Sequence, residues 1–578
     1  MDIKDKIKSL INEAVKTLCA EPLSFSLEHP DIMTHGDYAT NVALLLSKQL
    51  KKSPVEVAKM IVEKISLTKP GEVAKIEVAG PGFINFYLSN NFFVDSLEEI
   101  FKKAEKYGRK KETFFGKFFR TKTIIEHTDP NPFKEFHVGH LMSNSIGESI
   151  SRIVEANGAK IIPVSYGGDV GLHVAKAMFA VLKHKEEIEV VKKENTKEQL
   201  SFWAKLYVEG STAYEEEPNA KIEVDNLNKI IFNKSDAYIN SLYDWGREIS
   251  IEHFKKLFTR LDTHFVHNFW ESEVISDALK IVAEGLEKGI LEKSEGAIVF
   301  KGEKYGLHTR VFVNSKGVPT YEAKELGLGI KKIELYNFDN SIIITGNEQD
   351  DYFKVVLKAI ELLRPEVKDK TVHLGHGMLR FASGKMSSRK GNIITGVSLL
   401  DQVKENILEK MKDRDMSNSD KEKVAEIVAV SAVKYSILKQ AAGSDIIFDF
   451  DKSLSFEGDS GPYLQYSCVR AKSILEKAKK EGIKMNPDAG VNLEAGELSK
   501  LLIRFGEVVE RAGREYSPHY LAIYLTELAS SFSTFYAQEK VIDKTNPLSA
   551  YRIALVAAFV QVMQNGLKLL GIKVPERM

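Results

Sequence analysis

The sequence predicts a multidomain chain joining α/β and all-α parts: a small α+β N-terminal domain, a central domain on a doubly wound parallel sheet, and a C-terminal helical bundle. Three observations carry that expectation. At 578 residues the chain is too long for a single core. Residues 121–171 read strand, helix, strand, which is the repeating unit of a parallel sheet. From about residue 456 onward the apolar residues recur at helical spacing almost to the end. The expected boundaries are 1–110, 111–395 with a helical insertion at about 175–260, a helical connecting region at 396–455, and 456–578.

Composition narrows the class. The apolar fraction of 43% and the charged fraction of 28% are those of a soluble globular protein. A formal net charge of zero argues against indiscriminate nucleic-acid binding while leaving local patches open. Cys19 and Cys468 are too few for a disulfide framework and fit a reducing cytosol. No signal-peptide pattern opens the chain, and no apolar run of about 18 residues could span a membrane. A cytoplasmic protein without a membrane partner is expected.

In chain order, residues 1–18 place Ile3, Ile7, Leu10, Ile11, Ala14, Val15 and Leu18 on one helical stripe. Ser53-Pro54-Val55-Glu56 is a capping box with proline at the first helical position. KIEVAGPGFINFYLS reads as two strands turning at Gly80-Pro81-Gly82. Residues 101–122 then carry nine Lys or Arg against two acidic residues, with five aromatic rings between them. Such a run is either a solvated linker or a track for phosphates.

TKTIIEH predicts a strand and DPNPF a loop, because its two prolines break regular structure. An amphipathic helix follows from about His137 to Asn157, with Gly158 as its C-terminal stop. IIPVSY is a buried strand, and Gly167-Gly168-Asp169 turns away from it. The loop-to-helix junction is a natural anion site. His137 and His140 share one face of its first turn, and Gly139 leaves room against the backbone. Two imidazoles beside free N–H groups suit a phosphate whose charge grows in a reaction. The same pattern also fits a metal pair or a chance placement.

Farther on, GAIVF and TRVFVNSKGVPTY are strand-like, YEAKELGLGIKKIELY is helical, and SIIITGNEQ is a buried strand. Tyr321 and Glu325 lie one turn apart; together they could receive a guanidinium, although such pairs are usually surface residues. His373 and His376 form a weak metal candidate placed just before a strand. Residues 384–391, GKMSSRKG, form a basic, hydroxyl-rich loop whose Lys385 could follow a departing pyrophosphate. The glycine spacing rules out a Walker loop.

Taken together, these motifs resemble the class I aminoacyl-tRNA synthetases, and the arginyl family in particular. His137-Val138-Gly139-His140 is similar to the His-Ile-Gly-His signature, and Lys385-Met386-Ser387-Ser388 to Lys-Met-Ser-Lys. HGDYATNVALLL and VAGPGFINFYLS resemble the family's N-terminal domain; SGPYLQYSCVRAKSIL and LLGIKVPERM resemble its anticodon-binding domain. Tyr321, Lys324 and Gln349 match the family pattern, whereas Glu325 stands where Asp is usual and Ser388 where the second lysine is usual. Asp129, Glu135 and Met142 also depart from it.

The resemblance implies a Rossmann-type catalytic domain and ATP-dependent attachment of L-arginine to tRNA(Arg) through an arginyl-adenylate, in protein biosynthesis. It implies that His137, Gly139, His140, Lys385, Met386, Ser387 and Ser388 bind ATP, with Lys134, Lys385, Ser387 and the two histidines stabilising the transition state. Lys134 is implied to cover for the lysine missing at Ser388. Glu126, Asp129, Pro130, Asn131, His140, Tyr321, Glu325 and Gln349 are implied to hold arginine, and Tyr536 and Met578 to stack on the anticodon. ATP is expected with Mg2+, no structural metal is expected, and the chain is expected to act as a monomer. tRNA is implied to bind before arginine is activated. The rivals are a class I synthetase for another amino acid, a tRNA-independent nucleotidyl-transfer enzyme, and a non-catalytic RNA-binding paralogue.

Overall fold

Strand β1 (Lys122–Glu126) is the pivot of a computed structural model that describes residues 3–19, 21–110, 120–382 and 395–578. Ile124 and Ile125 are fully buried, because β1 is covered on both faces and hydrogen-bonded along both edges. Its neighbours are β2 (Lys160–Gly167) and β4 (Asn340–Gly346); β3 (His267–Trp270) and β5 (Thr371–His376) close the two edges. All pairs are parallel, and the order is 3-2-1-4-5, a doubly wound sheet. The winding reverses between β1 and β4, which is where such sheets bind ligands. β3 escaped the sequence reading because its four residues sit at an edge and show too little pattern.

Helix α1 (Val138–Ala156) crosses from β1 to β2. The sequence predicts an amphipathic helix there, but α1 is buried almost all round. Its small polar residues find internal partners instead of water. Ser143 Oγ donates to Ile344 O at 2.8 Å on β4, and Ser149 Oγ donates to Leu569 O at 3.2 Å. Asn144 Nδ2 donates to Thr128 Oγ1 at 3.1 Å. Satisfied groups of this kind carry little burial penalty.

Residues 172–260 form five helices between β2 and β3, with a core of their own around Trp203, Leu206, Val224 and Leu242. The strands of GAIVF and TRVFV do not join the parallel sheet. Glu292–Ser294, Ala297–Phe300 and Arg310–Val313 pair as a separate antiparallel sheet, with a turn at Gly317. Hairpin-length connections force antiparallel pairing, since a parallel crossover needs about a dozen residues. Helix α2 (Tyr321–Tyr336) then leads into β4, and α3 (Asp350–Leu363) connects β4 to β5 and packs on α2 and β5.

By contact density the chain divides into two units. One comprises residues 109–466, 508–525 and 566–578 and holds the parallel sheet. The other comprises residues 1–108, 467–507 and 526–565. In the second, a four-stranded antiparallel sheet packs with helices Ile3–Lys16, Val42–Leu50 and Pro54–Ser66, and Ser53 Oγ caps the third by accepting from Glu56 N. Glu507 ties its C-terminal part to this layer, accepting from Tyr38 Oη at 2.6 Å and pairing with His29 at 3.1 Å. Helices Gly461–Lys480, Glu497–Arg514, His519–Gln538 and Ser549–Leu569 bear out the helical C-terminal region.

Candidate active site

The two histidines make the junction between β1 and α1. His137 is the N-cap of α1, and its Nδ1 accepts from Gly139 N at 3.1 Å. His140 reaches back, its Nδ1 accepting from His137 N at 3.2 Å. This is a reciprocal capping box made of imidazoles rather than hydroxyl and carboxylate. The rings stack with centroids 3.6 Å apart. Burial, reinforced by Lys134, holds the His137 imidazole below its ordinary pKa; burial, His137 and Lys134 hold His140 well below. Both rings are therefore neutral near pH 7. A ring nitrogen that accepts from the backbone carries no proton, so Nε2 carries it in each ring and remains a donor. Gly139 is needed because a Cβ there would lie 3.0 Å from the His137 ring.

These groups face a cavity of about 430 Å³ at the carboxyl ends of β1 and β4. Asp129, Asn131, His137, Gly139, His140 and Gln349 all line it, so the structure brings six expected residues together. Thr128, Asp129 and Phe133 have left-handed φ values of 80°, 46° and 67°, which bend the proline-rich loop around the cavity mouth. Asn131 Oδ1 accepts from Gly168 N at 2.7 Å, and Asp129 Oδ1 accepts from Tyr166 N at 2.7 Å. The Gly167-Gly168 turn thus holds the loop, since a Cβ on Gly168 would come within 2.8 Å of Asn131 Oδ1. Pro130 is buried in the same loop. Lys134 Nζ lies 5.5 Å from the Tyr207 ring centroid and is not among the lining residues.

A second cluster sits on α2. Tyr321 opens the helix at 64% exposure, and Glu325 one turn later is buried. Glu325 makes no hydrogen bond or ion pair among the described residues, and burial plus the nearby Glu126 push its carboxyl up to about 8. Glu126 is paired with Lys332 at 2.8 Å, and Lys324 with Glu271. Burial and Glu126 raise Asp129 well above the usual carboxylate range. The hydroxyls of Tyr166 and Tyr352 are held un-ionised by burial and by these carboxylates. Glu325 and Asp129 are thus acidic groups without an ion-pair partner among the described residues, and a cationic side chain brought beside them would favour their ionised forms.

Sequence reading missed Glu271, Lys332, Tyr166 and Tyr352. Lys332 had a signal: at seven residues after Glu325 it falls on the same helical stripe. The tyrosines and Glu271 reach the site only through tertiary packing. His373 and His376 lie on β5 itself, ahead of the short strand Leu379–Phe381. His373 Nε2 shares a hydrogen bond with Thr345 Oγ1 at 2.7 Å, and His376 Nδ1 bonds Gly377 O at 2.8 Å. Each ring has a local partner, and no group of three metal-ligating side chains occurs among the described residues. Lys385, Met386, Ser387 and Ser388 lie outside the described residues, as does the middle of the basic run at 111–119. Tyr536 is half-buried under the Arg470 guanidinium at 4.5 Å; Met578 is half-buried at the chain end. No described helix is long and apolar enough to cross a membrane.

Comparison with known proteins covers the whole chain. The family model for the catalytic domain of class I (R) tRNA synthetases matches residues 97–450, the arginyl tRNA synthetase N-terminal domain matches 3–88, and the DALR anticodon binding domain matches 464–578. The arginine–tRNA ligase of Clostridium acetobutylicum is 32% identical over 581 residues, covering 100% of both chains. That of Thermococcus sibiricus is 31% identical, covering 99% of this chain and 100% of its own. The arginyl-tRNA synthetase structure of Thermus thermophilus superposes with a TM-score of 0.80 at 24% identity over 100% of both chains. That of Plasmodium falciparum gives 0.79 at 21% identity, over 100% and 99%; at such identities the likeness speaks for the fold. With models matched in all three regions and relatives matched end to end, the chain belongs to the class I arginyl-tRNA synthetase family.

Proposed function

We propose that this chain joins L-arginine to tRNA(Arg) through an arginyl-adenylate, for translation, using ATP brought in with Mg2+. The observation that carries this reading is Glu325: a buried carboxyl group on α2 without an ion-pair partner among the described residues, in the domain whose switch-point cavity is flanked by two neutral imidazoles. A cationic side chain and a phosphate donor fit those two environments.

The arginine carboxylate attacks the α-phosphorus of ATP, the bond to the bridging oxygen breaks, and pyrophosphate leaves. The terminal 2′-hydroxyl of tRNA then attacks the arginyl carbonyl, and AMP leaves. Neither step needs a protein nucleophile, so positioning and charge stabilisation carry the rate. Nε2–H groups of His137 and His140 donate to phosphate oxygens, and Gly139 lets the nucleotide approach. Lys134, Lys385, Met386, Ser387 and Ser388 act on the departing pyrophosphate. Asn131, Pro130 and Gln349 orient the amino acid's backbone end; Tyr321, Glu325, Glu126 and Asp129 surround its guanidinium. Residues 1–110 contact the tRNA corner, and 456–578 the anticodon, through Tyr536 and Met578. The chain works as a monomer in the cytoplasm, a compartment consistent with its free cysteines, Cys19 and Cys468.

Amino-acid-dependent ATP–pyrophosphate exchange, run for twenty amino acids with and without tRNA, tests the reading. Exchange is expected with arginine and tRNA together. Exchange with lysine or glutamine instead would overturn it.

A further inference from the structure

We propose that Lys332 is the positioning residue that decides which carboxylate of the pocket meets the substrate cation: it locks Glu126 in an ion pair and leaves Glu325 free. The inference rests on the assignment of Glu325 to the guanidinium.

The geometry is specific. Lys332 Nζ donates to Glu126 Oε2 at 2.8 Å, and the two side chains are 3% and 2% exposed. Glu126 ends the central strand β1, while Lys332 stands on α2, the same helix as Tyr321 and Glu325. At about 100° per residue, Tyr321, Glu325 and Lys332 fall on one stripe, so the lysine lies two turns below the free carboxylate. Among the described residues, the other groups near Glu325 have interactions of their own. Glu271, from helix Glu271–Glu287, is held by Lys324. Asp129, from the loop after β1, accepts from the Tyr166 backbone on β2, and Tyr352 of α3 is un-ionised.

The balance of charge follows. Glu126 with Lys332, and Glu271 with Lys324, are neutral pairs. A buried carboxylate held in such a pair is oriented by it and adds little net field. The cation that enters must then be met by Glu325. Without Lys332, Glu126 and Glu325 would share protons as one coupled pair, and the negative charge would be divided between two places. Arginine would still be attracted, but its guanidinium would lose the fixed acceptor that sets its register against the reacting carboxylate.

The test is the arginine dependence of tRNA aminoacylation by the full chain, at saturating ATP and tRNA, from pH 6 to 9. Wild type is expected to show a pH profile of arginine KM shaped by Glu325 and Asp129, the two raised carboxyl groups. K332M should raise KM about tenfold, change kcat about threefold or less, and alter that profile by leaving Glu126 without its cation. K332R, which keeps the charge, should restore the wild-type profile. E126Q/K332M removes both charges; it should return the profile towards that of wild type and regain most of the affinity, which also covers the case in which K332M does not fold. A merely structural lysine would move stability without moving the titration. An unchanged profile in K332M, or a double variant as impaired as a folded K332M, would overturn the proposal. If arginine KM is also unmoved in E325Q, the assignment of the pocket has failed rather than the role of Lys332.

Discussion

Glu325→Gln isolates the charge of the proposed guanidinium acceptor while preserving its shape. Glu325 is 7% exposed and pushed up to about 8 by burial and by Glu126. In the empty site it therefore holds a proton until pH approaches 8, whereas a guanidinium pairs with the ionised form. Arginine binding must expel that proton, so apparent affinity falls as pH drops below 8, by up to about tenfold per unit. At pH 8 and above, a hydrogen bond to a charged partner contributes roughly 1.5–3 kcal/mol, which sets an expected rise in arginine KM of about 10- to 100-fold for the glutamine variant. The variant should also lose the part of the pH dependence that Glu325 carries, because glutamine does not titrate, leaving only the contribution of Asp129. Aminoacylation with arginine varied from pH 6 to 9 reads both effects. An arginine KM within about twofold of wild type, or a pH slope unchanged by the substitution, would refute the reasoning.

His137→Asn separates capping from chemistry. Asparagine is a strong N-cap, so unfolding stability should stay within about 1 kcal/mol, while the lost Nε2–H should slow pyrophosphate exchange about 100-fold; a large loss of stability with normal exchange would contradict this. Gly139→Ala places a methyl 3.0 Å from the His137 ring, and the displaced ring should lower the exchange rate at least about tenfold with little change in melting temperature. Lys385→Ala should slow activation and leave tRNA affinity, measured by filter binding, nearly intact; an unchanged rate would remove Lys385 from the site.

How much of this was legible in the sequence differed with the range of the forces involved. The βαβ unit and the histidine pair were readable because strand alternation, two prolines and a three-residue spacing are local. The same locality misled at α1, where Ser143, Asn144 and Ser149 look solvent-facing until β4, the Thr128 loop and Leu569 supply their partners. At residues 297–313 it gave the strands but not their sheet, since strand propensity does not reveal which sheet a strand joins. The ion pair of Glu126 with Lys332 spans 206 positions, and no periodicity could announce it. The role proposed for it is to set which carboxylate is free.

Charging of a total tRNA pool with each of arginine and lysine, by the wild-type chain and by E325Q, measures the central claim most directly. Arginine, and not lysine, should appear on the tRNA, with kcat/KM for arginine falling about 10- to 100-fold in E325Q. Charging with lysine, or arginine charging indifferent to Glu325, would contradict it.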